Sequence, residues 1–231
     1  MDVAATDRAE EESPSDHLQR SREVWDRRSD SYERDEKDLA PMRESALGHL
    51  SLETGDRVLE VGCGPGVNFE RIVEEIGESG TLIAIDYSQE MVEKARERAT
   101  ANGWENVQVR QADATDTDLG ADFDAAVAML SLSVMPDKYR AVSNIYRSLD
   151  DDGSLVVFDM RPVPSGPARI VNPVVRWFFE WYANWNPAGN VLEALEECFE
   201  ECNVVETYFA GIGYTALARK NTMGRDDPEN R

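Results

Sequence analysis

Residues 57–66 read Arg-Val-Leu-Glu-Val-Gly-Cys-Gly-Pro-Gly, a short apolar stretch that runs into a glycine-rich turn. Valine and leucine favour a strand in the first half. Gly62, Gly64 and Gly66 leave the second half without side chains, so the backbone can turn tightly and approach a ligand closely. Residues 67–76 then carry apolar side chains at helical spacing. A ligand at this turn would lie between the carboxyl end of a strand and the amino end of a helix.

The glycine spacing is G-x-G-x-G, which differs from the dinucleotide pattern G-x-G-x-x-G. This difference disfavours an NAD-dependent oxidoreductase, the weaker of two enzyme classes that such a turn permits. A tight strand-to-helix turn also uses glycine for purely structural reasons. The turn alone therefore does not establish a binding site.

The charge balance excludes one class of partner. The 231-residue chain has 46 acidic residues against 24 Lys and Arg, a formal net charge of −22. Such a surface repels phosphate, so we expect no nucleic-acid partner. The acids are spread along the whole chain, which we interpret as adaptation to concentrated salt, where screening weakens self-repulsion. We therefore expect a halophilic source.

No apolar run approaches the ~20 residues that span a bilayer, and the amino terminus lacks the apolar core of a signal peptide. We therefore expect a cytoplasmic protein.

The three cysteines, Cys63, Cys198 and Cys202, form no C-x-x-C pair, so neither a disulfide framework nor a metal site is expected. Cys198 and Cys202 would lie one helical turn apart as packing residues.

Strand and helix patterns alternate from residue 57 to residue 160. The nearly continuous apolar runs at 81–86 and 123–130 suit strands that are buried on both faces. Such alternation indicates right-handed βαβ crossovers. We therefore predict an α/β fold built on a doubly wound, mostly parallel sheet.

Two acids follow strands of this predicted sheet. Asp86 lies about 20 residues beyond the glycine turn, the separation at which nucleotide-binding folds place a carboxylate for ribose hydroxyls. Asp113 falls just past the third strand, where it could accept a hydrogen bond from an adenine amino group. Each has a plainer interpretation: Asp86 as a helix cap, for which Ser88 is better placed, and Asp113 as a turn residue. Together with the glycine turn, the two acids form a far more specific constellation than any single motif.

These stretches resemble the class I S-adenosylmethionine-dependent methyltransferases. Residues 58–66 resemble the first motif of that family, 83–88 its ribose-binding strand and 111–114 its adenine-contacting motif. The resemblance implies S-adenosyl-L-methionine as cofactor and a Rossmann-like, seven-stranded sheet that ends in an antiparallel hairpin over 204–218. It also implies the cofactor-binding residues, which are Tyr32, Glu60, Gly62, Cys63, Gly64, Gly66, Asp86, Tyr87, Asp113, Ala114 and Met129.

Within that family, the layout is similar to the quinone-biosynthesis and phospholipid N-methyltransferases, in which a lid tyrosine at the position of Tyr32 lies near the cofactor. Many relatives carry histidines after strand four, where this chain has Leu132 and Ser133. His17 and His49 are expected away from the strand ends. This pattern favours an acceptor that needs no histidine base, such as a neutral amine, an acidic phenol or a carbanion. No catalytic residue is assigned, and Tyr32 and Ser133 are only candidates near the cofactor.

The segment 161–189 carries three of the five tryptophans. One interpretation is a packing insertion with a helix over 173–183. The other is an aromatic cap over an apolar or amphipathic acceptor, with arginines near an anionic head group. The segment is also a candidate for peripheral contact with a membrane. The candidate acceptor residues are Ser133, Arg161, Trp177 and Trp181.

The predicted organisation has four parts. Residues 1–16 form a disordered acidic lead-in and 17–53 form lid helices. Residues 54–220 form the methyltransferase domain with its aromatic insertion at 161–189, and 221–231 form a flexible tail. The predicted function is methyl transfer from S-adenosylmethionine to a small-molecule or lipid-like acceptor, of the phospholipid amine or quinone precursor type. The alternative is a catalytically silent cofactor-binding protein with a regulatory or assembly role.

Overall fold

The computed structural model describes residues 13–32 and 37–221. Seven strands form one sheet in the order β3-β2-β1-β4-β5-β7-β6. The strands are β1 (Arg57–Val61), β2 (Thr81–Asp86), β3 (Val107–Gln111), β4 (Phe123–Met129), β5 (Leu149–Met160), β6 (Glu201–Tyr208) and β7 (Gly213–Arg219).

Helices precede the sheet and connect its strands. They are α1 (Pro14–Arg28), α2 (Ala40–Leu47), α3 (Phe69–Ile76), α4 (Gln89–Ala101), α5 (Lys138–Ser148), α6 (Asn172–Ala183) and α7 (Val191–Cys198). Short 3-10 turns lie at Lys37–Leu39, Leu132–Val134, Pro167–Val171 and Phe209–Gly211.

The strand pairing confirms the predicted sheet. β1 pairs in parallel with β2 on one side and with β4 on the other. β3 and β5 extend the parallel part outward, and β7 runs antiparallel to both β5 and β6. The chain therefore winds in two directions from β1, and the switch point lies between β1 and β4. In open α/β sheets, ligands bind beyond the carboxyl ends of the strands at this point.

The core has one layer on each face of the sheet. Leu59 and Val61 of β1 pack into the layer that α5 and α7 cover, whereas Val58 packs into the layer beneath α2 and α3. This alternation follows from the two-residue period of a strand. Because both faces are buried, the loops at the strand ends are the parts of the sheet left for binding.

The first helix starts earlier than predicted. The predicted disordered lead-in extends to residue 16, but the side chain of Ser13 accepts a 3.2 Å hydrogen bond from the Asp16 amide and Pro14 occupies the first turn. A serine cap followed by proline is a strong helix start. The helix ends at Arg28. Residues 1–12, 33–36 and 222–231 lie outside the described part, and so do the predictions made for them.

The two carboxyl-terminal cysteines do not share a helix, contrary to prediction. Cys198 ends α7 and Cys202 lies in β6. Both still pack against the core and are free thiols.

Among residues 13–32 and 37–221, no group of His, Cys, Asp and Glu side chains could hold a metal ion. The helices of these residues also include none long and apolar enough to cross a membrane.

Candidate functional site

The glycine turn brings the ends of β1 and β4 into direct contact. Gly62 has a φ of +71°, and a Cβ atom placed on it would lie 2.3 Å from Cβ of Ser131. The Ser131 hydroxyl donates a 2.8 Å hydrogen bond to the carbonyl of Val61. The position therefore requires glycine for both its backbone conformation and its close neighbour.

Asp86 joins this turn to the neighbouring strand end. Its Oδ2 accepts a 2.8 Å hydrogen bond from the Gly64 amide, and its Oδ1 accepts one of 2.8 Å from the Ser88 amide. Ser88 caps α4 through its own hydroxyl, which accepts from the Met91 amide. Burial raises the pKa of Asp86 to about 6, the two amides oppose that rise, and the nearby Asp26 carboxylate adds to it. Asp86 is therefore a half-buried acid at the turn and not the cap of the helix.

Glu60 is a second buried acid beneath the turn. The Asn68 side-chain amide donates a 2.7 Å hydrogen bond to its Oε1. Within the described part of the chain, its Oε2 has no hydrogen-bond partner although it is fully buried. Burial raises the pKa of Glu60 to about 7, while Asn68 and the charge of Arg43 oppose that rise. A buried carboxylate oxygen without a partner is costly, and a cationic ligand would relieve that cost.

Tyr32 covers the glycine turn from above. Its ring lies 3.7 Å from the Cβ position of Gly64, and its hydroxyl accepts a 2.7 Å hydrogen bond from Arg43. Trp25 of α1 meets the Tyr32 ring edge-on, with centroids 6.0 Å apart. The residues before the sheet therefore form a lid over the turn.

Under this lid lies a cavity of about 90 Å³, with walls from α1, the glycine turn and the ends of β2 and β4. Polar contacts hold α1 against α4. The Ser88 hydroxyl donates to Asp26 at 2.5 Å, and the Lys94 ammonium donates to Asp30 at 2.7 Å. Among the described residues that line this cavity, Asp86 supplies the carboxylate and Arg22 the positive charge.

A second, apolar cavity of about 450 Å³ lies beside the first. Its aromatic walls are Trp25, Phe178, Phe179, Tyr182 and Trp185. Both cavities share Trp25, Leu130 and Val134 as lining residues. These three residues form the partition between the two cavities. Molecules bound in the two cavities would therefore be neighbours.

Leu130 is part of that partition and has a strained backbone. Its φ is +55°, a left-handed value that is uncommon for a bulky residue. Its amide donates a 2.6 Å hydrogen bond to the carbonyl of Phe158, which holds the conformation. Strain of this kind persists where the surrounding structure enforces it, often at functional sites.

A family model described as a methyltransferase domain matches residues 52–208. The chain belongs to this methyltransferase family. S-adenosyl-L-methionine is its cofactor, and the Asp86 carboxylate in the wall of the small cavity fits a sulfonium cation. The family assignment also decides between the two enzyme classes that the sequence left open, in favour of methyl transfer.

Curated relatives share the central part of the methyltransferase. A phosphatidylethanolamine N-methyltransferase from Cereibacter sphaeroides is 34% identical over 141 residues, which cover 60% of this chain and 66% of the relative. A demethylmenaquinone methyltransferase from Lactobacillus johnsonii is 26% identical over 144 residues, covering 61% and 55%. The matched segments cover less than two thirds of either relative's length.

Solved structures show the same fold. One is an S-adenosylmethionine-dependent methyltransferase from Thermotoga maritima, described as a possible histamine N-methyltransferase. It has a TM-score of 0.65 at 22% identity and covers 87% of this chain and 100% of that one. Another, from Aquifex aeolicus, has a TM-score of 0.53 at 21% identity and covers 77% and 87%.

The structure brings about half of the predicted cofactor residues of the methyltransferase to the small cavity. Those that line it are Tyr32, Gly62, Gly64, Asp86, Tyr87 and Met129. Glu60 lies beneath the turn, and Gly66 faces the ring of Phe69, 2.5 Å from its Cβ position. Cys63 is buried in the core.

Asp113 and Ala114 do not line either cavity. Asp113 accepts hydrogen bonds from the Thr115 amide and hydroxyl at 2.8 and 2.7 Å, as a turn aspartate does. Ala114 is buried in the core. Their contact with adenine stays a prediction.

Two of the predicted acceptor residues in the aromatic insertion, Trp177 and Trp181, do not line the apolar cavity. Trp177 and Trp181 are 63% and 62% exposed and stack on each other, with centroids 6.1 Å apart. Arg161 donates to the carbonyl of Gly211 and lies over the ring of Tyr214, outside the cavity. Of the four candidate acceptor residues, Ser133 is the one that lines the cavity.

The expectation that both histidines lie away from the strand ends is wrong for His17. It is buried in α1, and its Nε2 donates a 2.9 Å hydrogen bond to the carbonyl of Val134, just after β4. Asn184 donates to the carbonyl of His17 and to the hydroxyl of Ser21. His49 lies in the turn after α2, 3.5 Å from Glu206. The early start of α1 places His17 on the buried face of the lid.

Asp159 was missed by the sequence analysis. It is the next-to-last residue of β5, is 1% exposed and lines the apolar cavity. A signal was present, because it is the one acid in the otherwise apolar run 155–160.

A wider groove of about 530 Å³ lies at the opposite edge of the sheet, near the amino ends of β1, β4 and β5. Its lining includes Glu53 before β1, Asp152 in the first part of β5 and Asn221 after β7. Because ligands of such sheets bind at the carboxyl ends of the strands, its larger size does not make it the site.

Proposed function

We propose that the methyltransferase acts on an apolar small-molecule or lipid-like acceptor bound in the aromatic cavity. The observation that carries this proposal is the shared partition of the two cavities, formed by Trp25, Leu130 and Val134. Methyl transfer is an in-line displacement, so the acceptor must lie directly beside the cofactor. The aromatic walls provide apolar contact area that a hydrocarbon or ring system would fill.

The curated relatives support this class of acceptor. Their names describe a phospholipid in one case and a quinone precursor in the other. Both molecules join a reactive head to a long apolar part, which fits a cavity with an aromatic body. At 26–34% identity, these names indicate the kind of acceptor and not the molecule itself.

The test is transfer of a labelled methyl group from S-adenosylmethionine to fractions of a cell extract. We expect label in the lipid or quinone fraction. Phe179→Ala should raise the acceptor KM about tenfold, because it removes one wall of the cavity, and should leave cofactor affinity unchanged. Label in a water-soluble polar product would contradict the acceptor class. Retained cofactor binding with no transfer would instead favour the catalytically silent alternative.

We further propose that α6 contacts the surface of an anionic membrane. Its outward face carries Val174, Trp177 and Trp181, which are all more than 60% exposed, and Ile170 just before it is 85% exposed. These residues recur at helical spacing, so they form one apolar ridge. Phe178 and Tyr182 on the same helix line the acceptor cavity. A lipid-like acceptor could thus pass from the bilayer along one helix.

The charges of the insertion match such a surface. Residues 161–189 contain three arginines and one glutamate, a net charge of +2, whereas the whole chain has −22. Arginines beside exposed tryptophans are typical of helices that lie in a membrane interface. Flotation with vesicles tests the contact, with phosphatidylglycerol vesicles against phosphatidylcholine vesicles.

We expect flotation with the anionic vesicles, and loss of flotation in Trp177→Ser/Trp181→Ser. Tyr139→Ser is the matched control, because Tyr139 is 51% exposed but lies on α5. Wild-type protein that floats with neither vesicle type would contradict the proposal. Dimers that the double variant abolishes would show that a second copy covers the ridge.

A further inference from the structure

Asp159 is placed to react with whatever fills the acceptor cavity. It lies at the carboxyl end of β5, on the same sheet edge as the glycine turn, and it lines the aromatic cavity. Among the described residues of that lining, the other acid is Asp38, which is exposed, and none is Lys, Arg or His. Asp159 is thus the buried charge-bearing group of an otherwise apolar wall.

Two backbone amides hold the carboxylate in place. Ser133 donates to its Oδ2 at 2.9 Å, and Met160 donates to its Oδ1 at 2.7 Å. The Ser133 hydroxyl is a further hydrogen-bond partner of the carboxylate. Because each carboxylate oxygen can accept more than one hydrogen bond, these contacts do not exhaust its accepting capacity. Fixed geometry of this kind is what a proton acceptor requires.

Two titratable side chains on neighbouring elements, Lys138 and Tyr214, interact with Asp159. Lys138 of α5 attracts its charge, and Lys138 itself donates to the carbonyls of Asn186 and Ala188. Tyr214 of β7 is its partner in the strand register. Burial raises the pKa of the Asp159 carboxyl, whereas the Ser133 and Met160 hydrogen bonds and the Lys138 charge lower it. An acid with a raised pKa is a better base at neutral pH than an exposed aspartate.

We propose that Asp159 is the proton acceptor of the methyl transfer, for an acceptor that attacks through a hydroxyl or an amine. This inference rests on the proposed function. The acceptor oxygen or nitrogen forms a bond to the methyl carbon while the S–C bond breaks. The electron pair of the S–C bond stays on the sulfur, which becomes a neutral thioether. The proton of the acceptor passes to an oxygen of Asp159 and later to water. The balance needs no further reactant.

The first experiment needs no turnover. Tryptophan fluorescence measures binding of dodecylamine and of dodecanol to the full chain at pH 8, where the amine is cationic. If Asp159 faces the cavity contents, wild type prefers the amine by about tenfold or more, as expected for one buried charge pair. Asp159→Asn should lose that preference. Equal affinities in the wild type would overturn the proposal, whatever the methylated product is.

The second experiment uses the fraction that the labelling assay identifies. Asp159→Asn should lower kcat/KM by about 100-fold or more, within the range for a general base. Its remaining rate should rise about tenfold per pH unit, because the acceptor must then ionise in water before it attacks. A loss below about fivefold with an unchanged pH profile would show a merely structural role.

Asp124→Asn is the matched control. Asp124 also lies in a strand and accepts a 2.8 Å hydrogen bond from a backbone amide, that of Arg57, but it sits at the far edge of the sheet. Its replacement should leave the pH profile unchanged. If no extract fraction takes label in the wild type, the proposed function fails while the binding experiment still decides the position of Asp159.

Discussion

The backbone amide of Gly64 donates a 2.8 Å hydrogen bond to Oδ2 of Asp86, which ties the turn after β1 to the end of β2. The other oxygen of the same carboxylate holds the Ser88 amide at the start of α4. One half-buried side chain therefore fixes two segments of the cofactor site. Its replacement should change the site more than any other single exchange of an acid there.

We expect Asp86→Asn to lower the affinity for S-adenosylmethionine by about tenfold to a hundredfold. The asparagine side chain has no charge to attract the cationic cofactor, and its N–H group would face a backbone N–H donor. The expected loss of binding free energy is about 1.5–3 kcal/mol. Titration calorimetry measures the affinity. Asp113→Asn is the comparison, and its effect should be small because Asp113 bonds within its own turn. Equal losses in both variants would instead support the predicted adenine contact of Asp113.

The stability of the protein without cofactor should fall as pH rises from about 4 to 7. The folded pKa values of Glu60 and Asp86 are about 7 and about 6, above their ordinary values. Raised acid pKa values mean that the folded state holds protons that the unfolded state has already released, so unfolding becomes easier through this window. For Glu60 the contribution is about 3 kcal/mol at most.

Urea unfolding at a series of pH values measures this effect, and Glu60→Gln should flatten the curve. Cofactor affinity should change in the opposite direction and strengthen over the same window, because the cation binds the ionised acids. A wild-type curve that Glu60→Gln leaves unchanged would show that Glu60 titrates normally.

Gly62→Ala should destabilise the fold by about 2 kcal/mol or more, since it combines a left-handed backbone with a collision. The collision partner is Ser131, whose Cβ would lie 2.3 Å away. Thermal unfolding compares this variant with Gly62→Ala/Ser131→Gly. The second change should recover part of the loss, because it removes the collision but not the backbone strain. Full recovery would mean that the positive φ costs nothing.

Helix α1 should move when the cofactor binds. The cavity beneath it is about 90 Å³, whereas cavities for ligands of this size begin near about 300 Å³. Hydrogen exchange of residues 14–28 with and without S-adenosylmethionine measures the change, and we expect increased protection in the complex. Residues 69–76 of α3 serve as an internal reference. Identical exchange of α1 in both states would show that the lid is already in its final position.

Concentrated salt should stabilise the protein. With a net charge of −22, self-repulsion is strong in dilute buffer and is screened beyond about 3 Å at 1 M salt. We expect the melting temperature to rise by several degrees between 0.1 M and 2 M KCl. Sucrose at equal osmolality controls for general solvent effects. Equal melting temperatures at both salt concentrations would contradict the inferred halophilic adaptation.

The sheet could be predicted from the sequence because the sequence patterns that indicate it are local. Strand runs, the glycine turn and the acid at residue 86 each depend on a few neighbouring residues. The acceptor side depends on which face of a helix turns inward, and α6 carries large aromatic side chains on more than one face. Trp177 and Phe178 are adjacent in sequence and both aromatic, so tertiary packing decides that Phe178 lines the cavity. Asp159 and His17 were missed because their burial depends on elements far apart in the chain.

The insertion between β5 and α7 has an evolutionary consequence. It begins beside β5 and is fastened at its far end by Asn186, whose backbone amide donates to Ser133 and whose side chain donates to Met135. The glycine turn, Asp86 and Glu60 lie outside it. Most of the aromatic wall is therefore encoded by one contiguous stretch of gene. On the proposed function, mutations there would change which molecule is methylated while the methyl donor stays the same, so acceptor preference would diverge faster than the chemistry.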